Sequence, residues 1–330
     1  MRKPVIAISM GDAGGIGPEL IVKVLSIEEI YEYCCPLIIA DPEVMKFSVE
    51  AAEKKFYINE INDLKAAKFK FANLDVLCPR LLKTPRVSWG KIDPAMGKAA
   101  AECLGYAFKL AMKKQINAVV SAPINKEAFH MAGYHYLDEL EFLADLTNSS
   151  EPFVIGAMEA FWTVAVTLHM PFRQIADAIK KNRVIRYIRW MDEALKKTGV
   201  KKPKIAVAAL NVHAGEGGLF GREEMDEIEP AIEEALKLKI DVQGPFAADS
   251  VFVTALDKNF DAVVCMYHDQ ANIARKLLGK KNGASLFMGL PVPCATTAHG
   301  TAFDIAGKGL ADPASMVEAL KYAAMLSSKG

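Results

Sequence analysis

The sequence predicts an α/β fold built on largely parallel sheet, and two observations carry that prediction. Short apolar runs of strand length alternate with stretches of helical period along most of the 330 residues, as repeated βα units require. With 52% hydrophobic and 24% charged residues, the chain can also bury the core of one large or two ordinary domains.

The elements follow in chain order. Val5–Met10 reads as the first strand, and a glycine-rich turn leads from it into a helix over Pro18–Leu25, with proline in the first turn, where its missing N–H is harmless. Leu37–Ala40 is the second strand and Pro42–Glu53 the next helix. The region Tyr57–Pro94 is the least periodic and reads as loops and edge strands. A helix over Ala95–Lys114 precedes a strand at Ala118–Ser121. Further strands are expected at Thr163–Thr167, Ile205–Leu210, Ala262–Met266 and Ala284–Phe287, with helices at Arg183–Lys197, Glu223–Leu238, Gln270–Leu278 and Ser315–Leu326. Val184, Ile188, Met191 and Leu195 form one apolar stripe on the helix around Trp190, the mark of a side that faces a core or an interface.

Charge and cysteine content narrow the function. Forty Lys plus Arg balance forty Asp plus Glu, so no basic field exists to hold a nucleic acid through counterion release. The six cysteines stand at 34, 35, 78, 103, 265 and 294; none forms a C-x-x-C pair, and they read as reduced thiols. The N-terminus has no apolar region of signal-peptide length, and no run of eighteen apolar residues occurs. A cytoplasmic protein without nucleic-acid or membrane partners is expected.

Three features carry chemistry. The first βα turn, Gly11-Asp12-Ala13-Gly14-Gly15-Ile16-Gly17-Pro18-Glu19, could present backbone N–H groups to an anion. It lacks the third glycine of a dinucleotide fingerprint and the Gly-Lys-Ser/Thr of a P-loop, so a tight turn explains it equally well. The second feature is the placement of three of the six histidines. His169, His213 and His268 each follow a strand-like run, on the edge where open α/β sheets place ligands. Three neutral imidazoles there could hold one divalent metal with an open position, zinc first, with magnesium, manganese, cobalt and nickel behind it. Their neighbours, Asn211 to Gly218 and Tyr267-His268-Asp269-Gln270, supply close-approaching backbone and second carboxylate and amide groups.

The third feature is Ala298-His299-Gly300-Thr301-Ala302-Phe303-Asp304-Ile305-Ala306-Gly307-Lys308-Gly309-Leu310-Ala311-Asp312-Pro313, too rich in small residues for packing alone. It resembles the adenosine-binding loop of the isocitrate and isopropylmalate dehydrogenase-like fold. That fold has two α/β domains with mixed, largely parallel sheets and a cleft between them. The resemblance implies NAD binding through His299, Gly300, Thr301, Asp304 and Asp312. Asp304 would accept from the ribose hydroxyls, and its charge would repel the 2′-phosphate of NADP.

Within that fold the chain resembles the 4-hydroxythreonine-4-phosphate dehydrogenase (PdxA) family over almost its full length. The matching segments include Gly11 to Leu20, Ser121-Ala122-Pro123 with Lys126, Glu141 to Ala144, His169-Met170-Pro171, Asn211 to Gly218, Gly244-Pro245 with Ala248-Asp249, Tyr267 to Gln270, Gly289-Leu290-Pro291, and His299 to Gly309. The resemblance implies a homodimer with its active site at the subunit interface, the metal held by His169 from one side and His213 and His268 from the other. Lys276 would lie in the substrate pocket; Asp249 and Asp269 are candidates, on their chemistry, for orienting the histidines. It also implies an NAD-binding domain over 1–130 plus 290–330 and a metal-binding and dimerisation domain over 131–289.

The sequence departs from the family at the substrate. The family's Gly-His-Thr-Glu-Phe-Leu stands here as Asp138-Glu139-Leu140-Glu141-Phe142-Leu143; its substrate-binding Asn corresponds to Ser285 and its Arg to Cys294 or an immediate neighbour. A thiol does not reproduce an arginine fork. Arg275, Lys280 and Lys281, near Lys276, could restore part of the anion affinity. The segment Gly289 to Asp304 is similar to the branch of the family that acts on threonate and erythronate. The expected activity is NAD- and metal-dependent oxidation of the secondary alcohol of a four-carbon hydroxy acid, phosphorylated as 4-phosphooxy-threonine or threonate or erythronate 4-phosphate are, with decarboxylation. The alternatives are a non-phosphorylated diol carboxylate of the cis-dihydrodiol type, and acyl transfer of the phosphotransacetylase type.

Overall fold

The computed structural model describes residues 3–79, 87–279 and 282–327; Lys280 and Lys281 lie outside them. The strands are β1 Val5–Ser9, β2 Cys35–Ile39, β3 Tyr57–Ile61, β4 Asn73–Leu77, β5 Ala118–Ser121, β6 Phe153–Ala157, β7 Trp162–Thr167, β8 Lys204–Ala208, β9 Asp241–Phe246, β10 Ala262–Tyr267, β11 Ala284–Met288 and β12 Cys294–Thr297. The helices are α1 Gly17–Leu25, α2 Ile30–Tyr33, α3 Pro42–Ala51, α4 Pro94–Met112, α5 Lys126–Met131, α6 Glu139–Thr147, α7 Ile175–Ala178, α8 Lys181–Thr198, α9 Glu229–Lys237, α10 Val251–Asp257, α11 His268–Gly279 and α12 Ala314–Ser327. Among the described residues no helix is long and apolar enough to cross a membrane, and all six cysteines are free thiols.

The chain divides into two units: Met1–Phe153 with Ala284–Gly330, and Val154–Gly283. The boundaries fall at 153/154 and 283/284, where the sequence placed them at 130/131 and 289/290. Residues 131–153 go with the first unit because Phe142 on α6 meets Phe129, Tyr134 and Tyr136 at ring distances of 5.4 to 5.8 Å, an aromatic cluster no loop would break cheaply. The return comes early because β11 pairs with β12, Ala284 opposite Thr297.

In the first unit the strands run β3-β4-β2-β1-β5-β12-β11. All neighbours are parallel except β11 against β12. Buried Ile6, Ile8, Leu37, Ile38, Val119 and Val120 form its centre, the near-continuous apolar runs of strands covered on both faces. Helices start where short polar side chains cap them: Asp41 accepts from Glu43 N at 2.9 Å, Asp93 from Ala95 N at 2.8 Å and Asn125 from Ala128 N at 2.8 Å.

In the second unit the order is β6-β7-β10-β8-β9, parallel except β6 against β7. The stripe on α8 faces its core, Val184, Ile188, Met191 and Leu195 all being buried. The helix expected from Glu223 opens as a π turn over Glu224–Ile228, just before Pro230, which has no N–H to extend an i−4 ladder.

Strands β3, β4, β6, β9 and β12 carry no clear sequence signal. β3 lies at a sheet edge with an exposed, polar alternation, β4 holds the buried Asp75, and β9 holds Gly244-Pro245 at the other edge, where a proline is tolerated.

Candidate active site

In the second unit, β10 is parallel to β7 on one side and to β8 on the other, so the carboxyl ends of all three strands share one edge. His169 follows β7, His268 opens α11 directly after β10, and His213 follows β8 in a loop. The edge is stapled by Gln270, which is buried. Its Oε1 accepts from Met266 N at 2.6 Å and its Nε2 donates to Ala209 O at 2.9 Å, joining the ends of β10 and β8. Thr167 Oγ1 donates to Met266 O at 2.7 Å and joins β7 to the same point. Buried polar groups paired this completely hold their strands in one arrangement.

On this edge the rings of His169 and His268 come to 6.0 Å, centroid to centroid. The resemblance had put these two on opposite sides of a subunit interface; the structure brings them together in one chain. His268 Nδ1 lies 2.6 Å from Asp269 Oδ1, and His213 Nδ1 lies 3.2 Å from Glu216 Oε1. Among the described residues no three His, Cys, Asp or Glu side chains of one chain converge as a metal site, so His213 does not join the other two within the chain. The donors nonetheless fit a divalent metal in kind: imidazoles at strand ends, with the Nδ1 of His268 hydrogen-bonded to a carboxylate, one of the partners that orient metal-bound histidines. Asp249 and Asp269 line one groove of about 450 Å³ with Phe252, Tyr267, Gln270 and Leu277. Lys276, exposed on α11, stands outside its lining. Arg275 turns back onto the sheet: a Cβ on Gly156 of β6 would come within 2.6 Å of Arg275 Cδ.

In the first unit the glycine-rich turn does not form an open anion cradle. Asp12 N donates to Pro123 O at 2.9 Å, Gly14 N to Asp12 Oδ1 at 2.8 Å, Gly15 N to Asp12 O at 3.1 Å and Ile16 N to Thr301 O at 3.0 Å. The turn is instead a seat for the 298–313 loop, with Gly15 bare because Thr301 packs where its Cβ would be. Gly307, at φ +72°, is covered by the Trp89 ring in the same way. The far end of the loop is latched by α1: Glu19 Oε1 accepts from Ala311 N at 2.8 Å, and Lys23 Nζ donates to Gly309 O and Ala311 O, both at 2.7 Å. Between these anchors the Asp304 side chain is exposed and only its backbone oxygen is taken, by Lys308 Nζ at 2.7 Å. His299 and Gly300 are exposed beside it and Thr301 is half-buried. Asp312 caps α12, accepting from Ala314 N at 3.1 Å.

Comparisons with known proteins cover both units. The family described as "Pyridoxal phosphate biosynthetic protein PdxA" matches residues 32–323. The chain belongs to the PdxA family. It is 40% identical over 328 residues, 99% of this chain and 98% of the other, to a Clostridium botulinum (strain Langeland) protein named "Putative D-threonate 4-phosphate dehydrogenase". The structure of a 4-hydroxythreonine-4-phosphate dehydrogenase from Burkholderia phymatum superposes with a TM-score of 0.83 at 37% identity, covering 99% of each chain. That of a terephthalate 1,2-cis-dihydrodiol dehydrogenase from Burkholderia xenovorans follows at 0.66 and 27%, covering 98% of each. The chain is a dehydrogenase of the PdxA family, with the mixed, largely parallel α/β architecture of those structures.

The four positions at which the sequence departs from the resemblance, Glu139, Leu140, Ser285 and Cys294, all lie in the first unit. Leu140 and Cys294 are buried, Cys294 completely, and Ser285 is 9% exposed. Asp138 caps α6, accepting from Glu141 N at 2.9 Å. Glu139 follows it with Oε2 buried and without a hydrogen-bond partner. Burial raises its carboxyl to about 7, against the opposing effects of the Ser121 hydroxyl, the Ile124 N–H and the Lys126 charge. Burial, with the Glu139 charge second, also holds the Cys294 thiol well above its usual range. Sequence reasoning missed Glu216 and Glu224; an acid three residues after a candidate ligand, in a glycine-rich stretch, was the available signal for the first.

Proposed function

We propose that the chain is an NAD- and divalent-metal-dependent dehydrogenase that oxidises the secondary alcohol of a phosphorylated four-carbon hydroxy acid, of the threonate 4-phosphate or 4-phosphooxy-threonine type, with loss of CO₂ from the β-keto acid. The observation that carries this reading is the meeting of His169 and His268 at the carboxyl edge of the second unit, in a chain 40% identical over almost its whole length to a relative named for threonate 4-phosphate.

His169, His213 and His268 would hold the metal. At least one of them would come from a second copy of the chain, in the homodimer that the resemblance implies, which accords with no three donors converging in one chain among the described residues. A bound divalent metal supplies a lowered hydroxyl pKa and a polarised carbonyl. Asp269 orients the His268 ring through Nδ1, and Asp249 shares its groove. The loop carrying Asp304 would hold the adenosine of NAD, whose nicotinamide would supply the acceptor for the hydride of the alcohol carbon, the O–H proton going to water. Cleavage of the C–C bond to the carboxylate then releases CO₂, and the Lys276 ammonium returns a proton to the enolate carbon.

The test is NAD reduction by the purified protein over phosphorylated and free four-carbon hydroxy acids, with and without chelator. Chelator-sensitive reduction with threonate 4-phosphate or a close analogue is expected. Activity on free diol carboxylates alone would move the substrate to the dihydrodiol class.

A further inference from the structure

The first unit holds a cavity of about 710 Å³ at the amino-terminal edge of its sheet. The starts of β1, β2 and β5 meet there at Val5, Cys35 and Asn117, and Ser327 lines it from the end of α12. Open α/β sheets carry their ligands at the opposite, carboxyl edge. The five residues of β1 put the cavity about 15 Å from the glycine-rich turn on that edge, so it is separate from the turn and from the loop seated on it.

Its walls are fixed before any ligand arrives. Val5 N donates to Asn117 Oδ1 at 2.8 Å, Asn117 N to Val5 O at 2.8 Å and Cys35 N to Pro4 O at 2.8 Å, which locks the three strand starts together. Phe69 lines the cavity with a φ of 50°, a left-handed backbone that a bulky side chain rarely takes. Asp75, buried at 2% exposure, holds it there. Its Oδ2 accepts from Phe69 N at 2.7 Å and from Lys68 N at 3.0 Å, and its Oδ1 accepts from Asn59 Nδ2 at 2.6 Å. Strain kept in place by a buried anchor is a feature of ligand clamps.

The charged lining has one sign. Lys3 and Lys65 line the cavity, and among the described residues no carboxylate does. Lys3 Nζ donates to Tyr31 O at 2.6 Å, which uses one of its three N–H donors. Asn117 Oδ1 is taken by Val5 N, which leaves Nδ2 to donate, and Gln115 adds a second amide. Two ammonium groups with amide donors between strand starts favour an anion. The rest of the surface is apolar, the Phe69 ring with Leu64 and Pro4, and suits a flat hydrophobic body.

We propose that this cavity binds a small anion carried on a flat ring, an aryl carboxylate or aryl phosphate: Lys3 and Lys65 take the charge, and the Phe69 ring takes the face of the ligand. The inference is independent of the proposed function.

The test is calorimetric titration of the full chain near neutral pH with phenyl phosphate and benzoate, beside inorganic phosphate and benzyl alcohol. The alkylation rate of Cys35, which lines the cavity and is half-buried, is followed by peptide mass spectrometry, with the half-buried Cys78 as internal control. At least one aryl anion should bind at about millimolar concentration or below, as suits a ligand of about ten non-hydrogen atoms. It should slow alkylation of Cys35 and leave Cys78 unchanged, and the tighter of the two identifies which anionic group is read. Lys3→Gln with Lys65→Gln should weaken this binding about tenfold or more. Phe69→Asn, which keeps a residue tolerant of the left-handed backbone, should weaken it by a similar factor. Thermal melts check that the variants fold, and the ligand series on the native protein needs no variant. Four results would each overturn the assignment: neither aryl anion binding or protecting Cys35, equal protection by benzyl alcohol, inorganic phosphate bound as tightly as phenyl phosphate, or unchanged affinity in the folded lysine double variant.

Discussion

The imidazoles of His169 and His268 stand 6.0 Å apart, tilted by 41°, although 99 residues separate them in sequence. Parallel pairing of β7 with β10, Thr167 opposite Tyr267, makes them neighbours, and the Gln270 staple fixes the strand ends that carry them.

If this pair is the core of the metal site, His169→Ala and His268→Ala should each lose metal and activity together, since three-ligand sites rarely survive as two. Metal analysis by plasma mass spectrometry alongside NAD reduction checks it. Full metal content in both variants would remove the pair from the site.

Asp304 should set cofactor choice. Its carboxylate is exposed between the anchored ends of the 298–313 loop, so Asp304→Ala should raise the KM for NAD by roughly tenfold and lower kcat much less, as loss of a contact remote from the hydride does. The native protein should use NADP poorly. Equal use of both cofactors would show that the loop does not read the ribose.

Asp12 should make stability fall with rising pH. It is fully buried with Oδ2 unpartnered. Burial raises its pKa from 3.8 to about 6, with Asp93 adding to the rise and the Gly14 N–H opposing it. An acid whose folded pKa is raised contributes fully below its unfolded value and loses that contribution as pH climbs through the folded one. The loss here falls between about pH 4 and 6 and amounts to about 3 kcal/mol at most. Asp12→Asn should therefore melt a few degrees above the native protein at pH 8, with the gap closing by pH 4.5. A gap independent of pH in thermal melts would mean that Asp12 is not the titrating group.

Glu139 should weigh against anionic substrates above neutrality. With its carboxyl at about 7, it gains a charge as pH rises, and a close like charge costs on the order of 1 kcal/mol or more where screening is incomplete. The KM for 4-phosphooxy-threonine should rise more steeply from pH 6.5 to 8.5 in the native protein than in Glu139→Gln. Parallel profiles would place Glu139 away from the substrate. Restoring the family residues should then help at 139, 140 and 285, whereas Cys294→Arg alone should destabilise by about 1–3 kcal/mol, because the thiol site is completely buried.

The sequence by itself determined the fold class, the family and the edge on which the histidines lie. Each of these is written in local pattern: apolar runs such as Ala262–Met266, helical stripes such as that of α8, and a histidine just past each of three strands. Tertiary structure decided what those residues touch. The glycine-rich turn is a seat for the Thr301 loop and not an anion cradle, because its N–H groups are taken by Pro123 and Thr301, residues more than a hundred positions away. Asp312 caps a helix, Leu140 and Cys294 are buried, and the antiparallel pairings of β6 with β7 and β11 with β12 follow from no local period. The loop that carries His213 is anchored at Leu210 and Asn211 by a buried Glu224 in another element. Periodicity fixes which face of an element is apolar; hydrogen bonds between distant segments fix which polar groups meet, and no local pattern encodes those.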